Sequence, residues 1–71
     1  MAEEIKAEIV ANVLNVLVQE GDSISDGDTV VLLESMKMEI PVLAETGGVV
    51  TKLAVREGDV VQEGDLIAVV E

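Results

Sequence analysis

The sequence predicts an all-β fold: a small flattened antiparallel barrel or sandwich of two short-stranded sheets, related by an internal pseudo-two-fold. Four observations carry this. The chain has 71 residues and no Phe, Tyr or Trp, so its core must be aliphatic. Its fourteen Val, seven Leu and five Ile favour the pleated, half-buried surface of a strand. Shifted by 37 positions, Ala11–Glu34 lies over Gly48–Glu71, 24 residues each without a gap. Finally, Gly-Asp steps recur at matching places in the two copies, where glycine supplies positive φ and Asp bonds nearby backbone.

Eight pairs in the repeat are identical: Val13/Val50, Val18/Val55, Glu20/Glu57, Gly21/Gly58, Asp22/Asp59, Gly27/Gly64, Asp28/Asp65 and Glu34/Glu71. Seven others exchange one aliphatic for another, as in Ile24/Val61, Val30/Ile67 and Leu32/Val69. Solenoids of similar period need three or more units. Two units point to one domain, spanning 1–71, with residues 1–4 expected to fray.

The elements follow in order. Ile5, Ile9, Val13 and Leu17 fall four apart, which a helix could also explain. Ala11–Val18, however, aligns with Gly48–Val55, which opens on Gly and β-branched residues and makes poor helix. Both are therefore read as strands, with Val16/Leu53 and Val18/Val55 facing the core and Asn15/Lys52 facing away. Turns at Gly21 and Gly27 bracket a short apolar step at Ile24, and turns at Gly58 and Gly64 bracket its copy. A strand then runs to Glu34. Pro41 cannot donate to a ladder, so its strand is an edge or carries a bulge. Gly47-Gly48 turns the chain into the second copy, which closes at Glu71. Since Glu34 corresponds to Glu71, Lys37 begins the connection between the halves. It should stand at one tip, with the chain ends at the other.

Composition excludes several functions. Without Cys there is no disulfide frame and no thiolate nucleophile or ligand. Without His the commonest general base and metal ligand are missing. A formal charge of −11 argues against nucleic acid and anionic membranes. The opening residues are acidic where a secretory signal would be basic and then apolar. No run approaches the roughly 20 apolar residues of a membrane span. The expected location is the cytoplasm.

Candidate sites are few. Asp22–Gly27 resembles a calcium loop only superficially: its third position is Ile24 and its twelfth Leu33. Both copies read as turns, with no metal. Paired carboxylates such as Glu34 and Glu39 read as solvated surface, since fifteen acids make chance pairs inevitable. Gly47-Gly48 lacks the spacing and following helix of a phosphate loop. No catalytic residue emerges.

Lys37 stands out. It is one of four basic residues, and it lies between Met36 and Met38, the only methionines beyond the initiator. Its plainer reading is a surface lysine paired with Glu34 or Glu39. A free lysine amine, with pKa about 10.4, is neutral in only about one molecule in 2,500 at pH 7. A Schiff-base lysine needs burial or a neighbouring cation. Lys37 should therefore react only when a second enzyme deprotonates it and presents an activated acyl group. It reads as a substrate.

The run Glu34-Ser35-Met36-Lys37-Met38 resembles the attachment sequence of biotinyl domains, the carboxyl-carrier modules of biotin-dependent carboxylases. The resemblance extends from about Ile9 to Glu71 and includes the Gly-Asp turns and Ile40-Pro41-Val42. It implies that biotin protein ligase joins biotin to Lys37 in amide linkage, with Glu34, Ser35, Met36, Met38 and Glu39 recognised by the ligase or partners. It further implies a biotin carboxylase that loads CO₂ from bicarbonate using ATP, and a carboxyltransferase that delivers it to an acyl-CoA or keto acid. The carrier itself performs neither step. Met36 and Met38 would offer an adaptable apolar contact, or alternatively pack into their own hairpin.

Ser35 replaces the Ala usual in the family. The protruding loop of some carriers is absent, because the two halves align without a gap. No linker rich in Pro, Ala or Ser precedes Ile5, which favours a free-standing carrier over an excised module. High net charge and short strands favour a monomer. The rivals are a lipoyl carrier, whose lysine usually follows Asp and precedes Ala, and an unmodified interaction domain.

Overall fold

The computed structural model describes residues 2–71. Eight strands follow one another: β1 (Glu3–Lys6), β2 (Ala11–Val16), β3 (Ser23–Ile24), β4 (Thr29–Ser35), β5 (Met38–Leu43), β6 (Gly48–Leu53), β7 (Val60–Val61) and β8 (Leu66–Val70). They form two four-stranded antiparallel sheets, ordered β1-β8-β6-β3 and β5-β4-β2-β7. Adding four to each strand number, modulo eight, converts one order into the other. The pseudo-two-fold thus governs the whole topology.

It also governs the hydrogen bonds. Val13 N–H donates to the Asp59 carbonyl at 2.8 Å, and Val50 N–H to the Asp22 carbonyl at 2.9 Å. Gly58 N–H donates to the Val13 carbonyl, and Gly21 N–H to the Val50 carbonyl, both at 2.8 Å. Each half therefore lends a turn to the other half's strand. The register breaks between Val13 and Asn15 recur between Val50 and Lys52. Those between Ile5/Lys6 and Thr29/Val31 fall at equivalent places. Such bulges bend and twist each sheet so that the pair can wrap one core.

That core is aliphatic throughout, with Leu33, Ile67, Val30, Val31, Val50 and Val70 fully buried and no buried polar residue among the described residues. Burying each such side chain stabilises by about 1.5–3 kcal/mol. Val18 and Val55 are buried as the alternation predicts, Val16 and Leu53 pack on the core's margin, and Asn15 and Lys52 are exposed. Pro41 lies on β5, an edge strand.

Two differences from the sequence reading concern the first ten residues. Glu3 and Glu4, expected to fray, pair with Val70 and Val69 in β1, while Met1 lies outside the described residues. Backbone pairing and four hydrogen bonds from Glu45 and Thr46 to the Glu3 carboxylate hold this end. The repeat also reaches further back than Ala11. Ala7 and Ala44, 37 apart and both buried, exchange equivalent bonds with Gly64/Asp65 and Gly27/Asp28. The copies are thus β1–β4 and β5–β8.

Candidate attachment site

The symmetry decides what lies where. In β4 and β5, Leu33 pairs with Ile40, Glu34 with Glu39 and Ser35 with Met38. In β8 and β1 the equivalent of the first pair is Val70 with Glu3. Beyond that point β8 and β1 have no turn, because these are the ends of the chain. The hairpin turn at Lys37 therefore occupies the place that the chain ends occupy in the other half. The Glu3 carboxylate meets the N–H groups of Glu45 and Thr46, beyond the far end of β5 from Met38. Six residues of strand, about 20 Å, separate that end from the tip.

The turn itself has two central residues, Met36 and Lys37, with φ of 54° and 64°. Both lie in the left-handed region, the mark of a type I′ hairpin turn, which normally takes Asn-Gly. Each non-glycine residue held there costs roughly 1–2 kcal/mol. The hairpin below enforces the conformation: two central residues let the ladder continue in register up to Ser35 and Met38. This strain could not be read from the residue types, because Met-Lys is no turn signal.

Lys37 is exposed at the apex. Among the described residues the ion pair found is Lys6 to Glu4, at 3.6 Å, so Lys37 is not paired with Glu34 or Glu39. Those two carboxylates sit opposite each other across the hairpin, one step below the turn, on the face away from Ser35 and Met38. Met36 is 92% and Met38 64% exposed, so neither packs into its own hairpin. The site is a free primary amine on a strained apex, between two thioethers, with a pair of acids beneath.

The other residues singled out are structural. Gly21, Gly27, Gly58 and Gly64 all have φ near +90°. Beside each, an Asp carboxylate accepts a main-chain N–H three residues back, from Gln19 to Asp22, Ser25 to Asp28, Arg56 to Asp59 and Gln62 to Asp65. These acids close turns. Sequence reasoning missed Glu20 and Glu57, which accept N–H bonds from Leu53 and Val16 in the opposite half. Their identity in the repeat was the available signal.

Comparison with known proteins agrees with this geometry. A family model described as biotin-requiring enzyme, covering biotin and lipoyl attachment, matches residues 3–70. A protein of Mycobacterium leprae described as a biotinylated protein TB7.3 homolog is 66% identical over 70 residues, 99% of each chain. The alpha3 subunit of a biotin-dependent acyl-coenzyme A carboxylase from the same organism is 46% identical over 50 residues, covering 70% of this chain and 8% of the subunit. The crystal structure of the Kluyveromyces lactis urea carboxylase superposes over the full chain with a TM-score of 0.92 and 35% identity, using 6% of that enzyme.

Proposed function

Since the chain belongs to the biotin/lipoyl attachment family, we propose that Lys37 is the residue that carries its prosthetic group. The chain is a biotin carrier, with covalently bound biotin as cofactor. The lipoyl alternative has less support, and Met36 and Met38 in place of Asp and Ala speak against it. When bound, biotin supplies a urea nitrogen that takes up and releases CO₂.

The observation that carries the assignment is the exposed, unpaired amine of Lys37 on a turn held with positive φ at both central residues. It fits an amide-linked acyl group, since nothing covers the amine and no carboxylate holds it. The hairpin fixes where the amine points from, and the lysine side chain gives it reach. Met36 and Met38 extend the apolar surface that an arriving ligase or partner enzyme meets before the amine.

The finer parts of the reading follow from that tip. A biotin protein ligase modifies Lys37 and reads Glu34, Ser35, Met36, Met38 and Glu39. The partners are a biotin carboxylase and a carboxyltransferase, of which the acyl-CoA carboxylases are one candidate class. The chain contributes effective concentration, since a tethered group replaces free diffusion between two sites. A charge of −11 supports a soluble monomer.

The test is intact mass and a streptavidin blot after co-expression with a biotin ligase. One biotinyl addition, lost in Lys37→Arg, is expected. Label on Lys6 or Lys52, or none, overturns the assignment.

A further inference from the structure

The edge strands β1 and β5 belong to different sheets and flank an open groove of about 520 Å³. Its floor is apolar, formed by Leu33, Ile40 and Val42 with Ile9 beside them, and Glu3, Glu8 and Glu45 stand among its walls. We propose that this groove is a docking cradle for the chain's own biotinyl arm, an inference that rests on Lys37 as the attachment site.

Two features support that occupant. The first is reach. The groove has a near end and a far end relative to Lys37. Glu3 is bound to the main chain of Glu45 and Thr46, which fixes the far end. Under the pseudo-two-fold the equivalent of that contact brings Ile40 beside Glu8 and Ile9, which fixes the near end. Ile40 lies three residues from Lys37, about 10 Å along the chain. A lysine side chain continued by a five-carbon acyl group is about eleven bonds, which reach about 13 Å when extended. The ring therefore reaches Ile9, Leu33 and Ile40 but falls short of Leu43 and Thr46.

The second feature is broken symmetry. Where Ile9 stands at the near end, 39% exposed, its equivalent at the far end is Thr46. Met38 lies on the same face of β5 as Ile40 and Val42, so an apolar track leads from the tip into the groove. The near end thus presents Ile9 and Ile40 where the far end presents Thr46 and Glu3. The near end's chemistry suits a bicyclic group with a thioether edge, and Glu8 on the wall can accept from a urea N–H.

The experiment compares methyl-labelled apo protein with protein biotinylated on Lys37, checked by intact mass. Isotope-filtered Overhauser contacts from unlabelled biotin to the methyls of Ile9, Leu33 and Ile40 are expected, with Leu43 and Thr46 unaffected. Ile9→Thr imports the far-end residue, so the fold should survive. It should remove the Ile40 contact and speed avidin capture of the biotin. If the mass shows no biotin on Lys37, the attachment reading fails and this proposal with it. If the biotin is present but changes stay within residues 35–38, the cradle alone is overturned. Unchanged Ile40 contacts in Ile9→Thr would likewise overturn the role of Ile9.

Discussion

Gly48 lies so close to Glu71 that a Cβ on the glycine would overlap the carbonyl oxygen of the last residue. Here the start of β6 meets the end of the chain, and Val49 and Glu71 exchange main-chain bonds in both directions at 2.8 Å. The obstacle is backbone on both sides, with little freedom to give way. Gly48→Ala should destabilise by about 2 kcal/mol or more, lowering Tm by roughly 10 °C. Gly58→Ala is the control: a Cβ there meets nothing, and only φ of +93° resists it. It should cost about 1 kcal/mol. Thermal melts by far-ultraviolet circular dichroism check both.

Much of this fold is legible in the sequence because its halves share glycines, aspartates and aliphatic spacing at an offset of 37. The legible part stops at Ala11, where the repeat thins to Ala7/Ala44 and Glu8/Glu45. There Val10-Ala11 faces Gly47-Gly48, and Glu4 faces Pro41, so the pattern no longer announces itself. The pairing of β1 with β8 joins the two ends of the chain, which no local signal encodes. At the site, the rarity and setting of Lys37 are legible. The positive φ of Met36 and Lys37 is not, since it is imposed by the ladder beneath them.

Glu20 and Glu57 tie the halves together from the surface. Leu53 N–H donates to Glu20 at 3.0 Å and Val16 N–H to Glu57 at 3.3 Å. Both bonds are exposed, so each is worth about 0.5–1.5 kcal/mol. Glu20→Ala should cost more than Glu57→Ala, because its bond is shorter. As neither residue shares a partner with the other, the double variant should equal the sum within about 0.5 kcal/mol. Urea titrations of the four proteins measure this.

Val30 and Ile67 occupy equivalent fully buried positions, one methylene apart in size. The core near Val30 shows that the fold accommodates valine there. Ile67→Val should therefore cost only about 1 kcal/mol, whereas Leu33→Ala, which empties the largest fully buried position, should cost about 3–5 kcal/mol. For so small a domain the second loss approaches the whole stability. Denaturant midpoints should fall modestly for the first and collapse for the second.

Lys37 bears no ion pair and is exposed, so its removal should leave the fold untouched. Lys37→Arg keeps the charge and should change stability by less than about 0.5 kcal/mol. Biotin incorporation should vanish, because a guanidinium stays protonated and cannot attack an activated acyl group. A melt alongside a mass spectrum separates the two effects. A large fall in Tm would mean that the apex helps hold the hairpin.

Met36 sits where a type I′ turn favours Asn, and its φ of 54° carries the strain of that mismatch. Its side chain is 92% exposed, so little packing is lost on replacement. Met36→Asn should relieve part of the strain and stabilise the hairpin by about 0.5–1 kcal/mol, raising Tm by a few degrees. The same change removes one of the two thioethers beside the amine. If Met36 is part of the surface that a ligase grips, the rate of biotin transfer to Lys37 should fall several-fold while the protein grows more stable. Opposite signs in the two measurements would show a residue kept for recognition at the expense of the fold. A faster or unchanged transfer would show that the ligase reads the turn without Met36.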